Sequence, residues 1–136
     1  MATIFSKIVK GEIHAYKIAE DNDYLAFLDI NPLAEGHTLV IPKKEIDYIF
    51  DLDDSTLAGL AVFSKKVAKA VESVVNCERI GIAVIGLEVP HVHIHLIPIN
   101  HISDINFSRP KLKLSAAKFS EIAVKITLAF AEQNQP

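Results

Sequence analysis

Residues 91–97 are His-Val-His-Ile-His-Leu-Ile, a strict alternation of histidine with aliphatic residues, bracketed by Pro90 and Pro98. Successive side chains of a β-strand point to opposite faces, so His91, His93 and His95 are predicted to share one face. Same-face neighbours are roughly 6.6 Å apart, because each residue advances a strand by about 3.3 Å. The aliphatic face can pack into a core. The stretch therefore predicts a strand over 89–97 that holds three imidazoles at fixed positions.

Three imidazoles on one rigid face are compatible with three different roles. Imidazole titrates near neutral pH, so one neutral ring can attack while a protonated ring donates to an oxyanion. Histidine can also form a covalent intermediate in group transfer. Alternatively, a His-x-His pair can place two ligands on zinc, with Glu88 as the nearby acidic residue. The third role is a set of exposed strand histidines without chemistry, which the strict alternation disfavours. Between catalysis and metal binding the stretch alone does not decide.

Outward from this strand, the chain alternates between strand and helix patterns. The segment from Asp54 to Val75 has apolar residues at helical spacing, with its lysines largely on the opposite side. Short links between neighbouring strand segments favour an antiparallel sheet, and the fold class is therefore α+β: a five-stranded, mainly antiparallel sheet with helices packed on it. The predicted elements are helices over 3–10, 54–75 and 115–131, and strands over 16–20, 24–29, 37–41, 79–85 and 89–97.

Length, charge and cysteine content exclude several classes of protein. The 136 residues contain no repeat, low-complexity segment or linker, so residues 1–136 are predicted to form one domain. A net charge of −3 without a dense Lys/Arg block argues against nucleic acid as a partner, although a small anionic ligand fits. The single Cys77 excludes an internal disulfide or a cysteine metal cluster. Without a membrane-length apolar run or a signal-peptide pattern, we expect no membrane partner and a cytoplasmic location.

The stretch 91–97 resembles the histidine triad family (HIT), whose motif is His-φ-His-φ-His-φ-φ with φ an apolar residue. Two further blocks resemble this family in the same order: Ile-Phe-Ser-Lys-Ile-Val-Lys-Gly-Glu-Ile at 4–13, and Phe-Leu-Asp-Ile-Asn-Pro-Leu-Ala-Glu-Gly-His-Thr-Leu-Val-Ile-Pro-Lys-Lys at 27–44. The resemblance covers residues 3 to about 98 and implies a HIT-like fold. It also implies a nucleotide hydrolase or nucleotidyl transferase that cleaves at the α-phosphate of a nucleoside phosphoramidate or a dinucleoside polyphosphate.

The resemblance implies a role for each of four histidines. His93 is expected to attack the α-phosphorus and to form a nucleotidyl-histidine, from which water or another acceptor releases a nucleoside monophosphate. His95 is expected to contact the phosphate oxygens. His91 is expected to orient His93, partly through its backbone carbonyl accepting from the His93 ring. His37 is expected to belong to the same hydrogen-bonded cluster.

Five further residues are expected, from the resemblance, to bind the nucleotide. Asp29 would accept hydrogen bonds from the ribose hydroxyls, Phe27 and Ile30 would line the base pocket, and Gly86 and Val89 would form a turn near the phosphate. Taken alone, Asp29 is equally well explained as a turn cap, Phe27 and Ile30 as core residues, and Gly86 as a turn glycine. The expected partner is a purine nucleotide or nucleotide conjugate. Because members of the family commonly form two-fold dimers, a homodimer is also expected.

The chain departs from the family pattern just ahead of the motif. Leu87 replaces the Gln that often follows the glycine equivalent to Gly86, and the usual Asn-bearing stretch is shortened to residues 82–85. Thr3 and Ser6 stand where some bacterial relatives have the cysteines of a structural zinc site, so no metal and no cofactor are expected. The missing Asn and Gln leave the leaving group open. They also suggest a first alternative, a nucleotide-binding module with little turnover. The alternating histidines leave a second, a His-based metal-binding protein.

Overall fold

Five strands form one antiparallel sheet in the computed structural model, which describes residues 2–135. Along the sheet the order is β1-β2-β3-β5-β4, and every neighbouring pair is antiparallel. This confirms the predicted α+β class and the predicted order of elements. The elements are α1 (Ile4–Val9), β1 (Lys17–Glu20), β2 (Tyr24–Leu28), β3 (Thr38–Pro42), α2 (Asp54–Val74), β4 (Arg79–Ala83), β5 (Ile94–Ile99) and α3 (Ala116–Gln133).

Each helix begins at a side chain that caps it. The oxygens of Thr3, Asp53 and Ser115 accept hydrogen bonds from backbone N–H groups of the first turns of α1, α2 and α3. Such caps satisfy donors that have no partner within the helix. Two single-turn 3₁₀ helices, Ile49–Asp51 and Ile102–Asp104, were not expected from the sequence. No helix within residues 2–135 combines the length and apolar character needed to span a bilayer.

The two faces of the sheet are covered unequally. The long helices α2 and α3 pack on one face, in a core that includes Val40, Ile94 and Leu96. The six-residue helix α1 packs on the other face, where Phe5 and Ile8 contact the sheet residues Leu25, Phe27, Leu39 and Ile41. Because α1 is short, much of this second face is left for a pocket.

The predicted strand over 89–97 was wrong at its beginning, since β5 starts only at Ile94. Pairing of β3 with β5 ends at Val40 and Ile94, and continuing the same register would place Pro42 opposite Val92. Proline has no N–H to donate to a ladder. The N–H of Val92 donates instead to the carbonyl of Ile46, at 2.7 Å. His91 and His93 therefore lie in an irregular segment just ahead of the sheet, and only His95 is part of the strand.

The end of β5 also differs from the prediction, because the strand continues through Pro98 to Ile99. Pro98 pairs with Ile80 of β4, but pairing with β3 is already over at Leu96. At Pro98 the strand thus has a neighbouring strand on one side only. A residue without an N–H is tolerated at such an edge position. Strand β4 ends at Ala83 rather than at residue 85, ahead of Gly86 with its φ of 77°. The remaining ends coincide with the predictions or differ from them by at most two residues.

Candidate active site

A row of three side chains crosses the face of the sheet on which α1 lies. Phe27 of β2 is in register with Leu39 of β3, which is in register with His95 of β5. Cross-strand partners share a face, so these side chains lie side by side. Together with α1, the turn around Gly86 and the segment after β5, they border a pocket of about 390 Å³.

The structure brings the nine residues singled out from the sequence together. Seven of them line the pocket: Phe27, Asp29, Ile30, Gly86, Val89, His93 and His95. The other two, His37 and His91, are almost completely buried: the ring of His37 contacts the ring of His95, and the backbone carbonyl of His91 contacts the ring of His93. Each of the two histidines that line the pocket is thus held by another histidine, His95 by a ring and His93 by a backbone carbonyl.

His93 is oriented by the backbone of His91. Its Nδ1 lies 2.7 Å from the carbonyl oxygen of His91, so Nδ1–H is the donor. In a neutral ring this leaves Nε2 unprotonated and free to act as a nucleophile or a base. The ring of Phe5 packs edge-on against His93, with the ring centres 5.0 Å apart. A backbone acceptor and an aromatic neighbour therefore determine both the tautomer and the position of His93.

His91 is held between β3 and the start of α1. Its Nε2–H donates to the carbonyl of Pro42 at 2.8 Å, so Nδ1 is left to accept from the hydroxyl of Thr3 at 2.9 Å. The Glu45 carboxylate accepts from the backbone N–H of Thr3 at 2.9 Å and from the Ser6 hydroxyl. Burial lowers the pKa of His91, which keeps the ring neutral. Glu45 was missed because it lies far from the motif along the chain.

His37 and His95 form a chain of hydrogen bonds that begins at a backbone amide. The N–H of Leu33 donates to Nδ1 of His37 at 3.0 Å, so His37 carries its proton on Nε2. That Nε2–H donates to Nδ1 of His95, also at 3.0 Å. His95 must then carry its own proton on Nε2. Burial lowers the pKa of His37 to about 3 and that of His95 to about 4. At neutral pH both rings are uncharged, and His95 offers one N–H donor.

Asp29 has two roles, because its side chain caps a turn and also lines the pocket. Its Oδ1 accepts from the backbone N–H of Asn31 at 2.8 Å, which is the turn-capping role that the residue alone suggested. Its Oδ2 lies 3.5 Å from Nε2 of His37. Burial raises the pKa of this carboxyl, with the nearby His93 and Lys111 opposing the rise. One carboxylate thus both shapes the loop after β2 and faces the pocket.

The same residues are the ones that could hold a metal ion. One ligand atom each from Asp29, His37 and His95 lie within 4.8 Å of one another. A carboxylate with two imidazoles is a donor set that zinc accepts. However, Nε2 of His37 and Nδ1 of His95 already satisfy each other by a hydrogen bond. The arrangement is therefore complete without an ion, although it is compatible with one.

Phe107 and Lys111 belong to the pocket although the sequence did not point to them. The Phe107 ring packs edge-on against His95, with the ring centres 4.8 Å apart, and it also contacts His37. Lys111 lines the pocket. The N–H of Leu112 donates to the carbonyl of Pro32 at 2.8 Å, which fastens this segment to the loop after β2. Both residues lie beyond the family motif and carry no local signal.

The backbone conformation at position 86 favours glycine, although there is room for a larger side chain. Its φ of 77° lies in the left-handed region, which side chains other than glycine adopt at a cost. A Cβ at this position would meet no atom within 4 Å. The turn it makes leads directly to Val89 on the pocket wall. Leu87, which stands where the family often has Gln, is 88% exposed.

The fold and the site together define an α+β protein with an anchored histidine cluster beside an apolar pocket. The family model described as HIT domain matches residues 10–102. An uncharacterized HIT-like protein of Borreliella burgdorferi is 38% identical over 133 residues, which cover 92% of this chain and 96% of that protein. Adenosine 5′-monophosphoramidase HNT1 of Saccharomyces cerevisiae is 42% identical over 98 residues, covering 71% and 62% of the two chains.

Solved structures agree with these relatives. A Hit-like protein from Bartonella henselae, described as involved in cell-cycle regulation, superimposes with a TM-score of 0.81. It is 34% identical, and the alignment covers 93% of this chain and 95% of that one. The chain therefore belongs to the HIT family, as its sequence predicted.

Buried neutral histidines make folding stability depend on pH. An unfolded histidine binds its proton near pH 6.5, whereas folded His37 and His95 bind theirs at about 3 and about 4. Below pH 6.5 the unfolded chain binds more protons, so stability is complete above this pH and falls as the pH drops towards 4. At pH 5.5 we expect a loss of about 1 kcal/mol for each of the two histidines relative to pH 7.

Urea unfolding between pH 7 and pH 4.5 measures this dependence. His95→Asn should flatten the slope, because it removes one of the histidines whose pKa burial lowers. His101→Asn, at an exposed histidine outside the cluster, should leave the slope unchanged. Equal slopes for the wild type and His95→Asn would contradict the prediction.

Proposed function

We propose that this protein cleaves at the α-phosphate of a nucleoside phosphoramidate or dinucleoside polyphosphate through a nucleotidyl-histidine intermediate. The observation that carries the proposal is the hydrogen bond from Nδ1 of His93 to the carbonyl of His91, which leaves Nε2 available at the pocket. Attack by Nε2 forms a bond to phosphorus, and the bond from phosphorus to the leaving amine or phosphate breaks. Water then breaks the bond to His93 and releases the nucleoside monophosphate. The phosphoramidase name of the yeast relative supports this choice.

The other histidines have supporting parts in this mechanism. His95, with its proton on Nε2, donates to a phosphate oxygen on which charge develops. His37 holds His95 in that tautomer through the 3.0 Å hydrogen bond between them. His91 orients His93 through its carbonyl, while its ring is fixed to Pro42 and Thr3. Rings held in place in this way need no rearrangement when the phosphate reacts.

The rest of the pocket suits a nucleoside. Phe27 and Ile30 give it apolar walls for a base, of which a purine is the one we propose. Asp29 faces the same space with a carboxylate that can accept from the two ribose hydroxyls. Gly86 and Val89 bring a turn of backbone to the opposite wall. The single-domain organisation and the cytoplasmic location stay predictions from the sequence.

Removing the nucleophile tests the covalent step. His93→Gly should abolish the nucleotidyl-enzyme, detected as a mass increase of the intact protein after rapid quench with an AMP phosphoramidate. Turnover should fall by about three orders of magnitude or more, since the covalent route is lost. His101→Ala, at an exposed histidine outside the pocket, is the matched control and should keep full turnover. Near-normal activity of His93→Gly would rule out His93 as the nucleophile.

The ribose contact makes a separate prediction. Asp29→Ala should weaken AMP binding by about tenfold, because hydrogen bonds to a charged acceptor contribute about 1.5–3 kcal/mol. Isothermal titration of AMP and 2′,3′-dideoxy-AMP measures this effect. The wild type should prefer AMP, and Asp29→Ala should lose most of that preference. If the wild type binds the two nucleotides equally, the proposed contact with the ribose is wrong.

Two alternatives have distinct signatures. A nucleotide-binding module would bind AMP without a burst of product from an AMP amidate, as the exposed Leu87 in place of a family Gln suggests. A metal-binding protein is favoured by the proximity of Asp29, His37 and His95. Elemental analysis of dialysed protein distinguishes the metal-binding protein from the proposed enzyme, because stoichiometric zinc would count against catalysis by these histidines.

A homodimer is proposed from the two edges of the sheet. The β1 edge is short, has an irregular register and carries Lys17 and Glu20, which are features that block strand pairing. The β4 edge is different, because Ile82 is 64% exposed although its cross-strand partner Leu96 is in the core. Exposed apolar side chains continue beyond β4 at Val84, Ile85 and Leu87. A second copy placed along β4 would cover this apolar edge.

Light scattering tests the dimer. The wild type should have a mass of twice the 15.0 kDa of one chain, and Ile82→Lys should shift the mass towards that of the monomer. Val124→Lys provides the control, because Val124 is similarly exposed but lies on α3. A monomeric wild type would contradict the proposal, as would an Ile82→Lys variant that stays fully dimeric.

A further inference from the structure

The pocket has few groups that can balance the charge of a phosphate. Its fixed charges within residues 2–135 are the carboxylates of Asp29 and Glu88 and the ammonium of Lys111. The imidazoles of His37 and His95 are neutral at physiological pH, since burial lowers their pKa values to about 3 and about 4. Without Lys111 the fixed charges on the pocket wall would all be negative, and they would repel a nucleotide.

Lys111 is held in one position by the segment that follows β5. Its Nζ donates to the carbonyl of Phe107 at 2.5 Å and to that of Arg109 at 3.2 Å. The same Nζ lies 6.0 Å from the centre of the Phe107 ring, which packs against His95. An ammonium group has three N–H donors, so one remains for a ligand after these two bonds. The donor is thus oriented before any ligand arrives.

Within residues 2–135, no carboxylate forms an ion pair with Lys111. Asp29, the nearest acidic residue of the cluster, lies 3.5 Å from His37, and among residues 2–135 it forms no ion pair with Lys111. The charge of Lys111 still reaches the cluster, since it lowers the pKa of both Asp29 and His37. Lys111 is also only partly exposed, so its interactions are less screened by salt than those at an open surface.

We propose that Lys111 recognises the negatively charged phosphate of the bound nucleotide and so makes the pocket specific for nucleotides over nucleosides. This inference rests on the proposed function, because it assumes that a nucleotide occupies the pocket. It adds to the histidine cluster a cation from the segment after β5. The imidazoles of the cluster then serve in attack and hydrogen bonding, while the ammonium carries the compensating charge.

The test compares AMP with adenosine. Isothermal titration of Lys111→Gln, which keeps an N–H donor but removes the charge, should show AMP binding weakened by about tenfold or more. Adenosine binding should be unchanged, which also shows that the pocket is intact. Lys111→Arg should retain most of the AMP affinity. Lys113→Gln, at an exposed lysine outside the pocket wall, removes the same charge and should have no effect.

Salt dependence provides a second readout that a structural role would not change. Raising the ionic strength should weaken AMP binding to the wild type and should have much less effect on Lys111→Gln. If AMP affinity is the same in the wild type and Lys111→Gln, or if AMP and adenosine weaken equally, the inference is wrong. If wild-type protein does not bind AMP at all, the proposed function itself fails, and this result is distinguishable from the other two.

Discussion

The end of the pairing between β3 and β5 is the constraint on which the site depends. Pro42 has no N–H for the position opposite Val92, so the ladder stops after Val40 and Ile94. The segment from His91 to His93 then leaves the sheet and bonds to the loop after β3. The carbonyl of Pro42 accepts from the ring of His91, while the carbonyl of His91 accepts from the ring of His93. The segment that leaves the sheet thus contains the two histidines that these hydrogen bonds orient.

Backbone groups also determine the tautomers of the four histidines. The carbonyls of Pro42 and His91 require a proton on Nε2 of His91 and on Nδ1 of His93. The amide of Leu33 requires an unprotonated Nδ1 in His37, whose Nε2–H then donates to Nδ1 of His95 and leaves the proton of His95 on Nε2. Because each ring is buried and each has at least one bonded nitrogen, with both bonded in His37 and His91, a change of tautomer would leave a buried polar atom unpaired. The hydrogen bonds therefore hold the cluster in one arrangement without a ligand.

The two faces of the sheet have different roles, because one carries the larger apolar core and the other carries the pocket. On one face α2 and α3 bury a large apolar core, which holds the strands in register. On the other face the short α1 contributes Phe5 to the His93 environment and leaves the pocket open. The segment after β5 then closes this face with Phe107 and Lys111. The candidate active site therefore lies on the face of the sheet that the helices cover least.

Local sequence determined much of the fold and the identity of the catalytic candidates. The alternation at 91–97 and the helical spacing over 54–75 depend on neighbours along the chain, so they could be predicted. The first residue of β5 could not be predicted, because it depends on which residue of β3 lies opposite Val92 in the sheet. Nor could the roles of Glu45 and Lys111, which come to the cluster from distant segments. The sequence specified which imidazoles are present. Only the tertiary structure decided which nitrogen of each carries the proton, because the Pro42 carbonyl reaches His91, and His37 reaches His95, from distant segments of the chain.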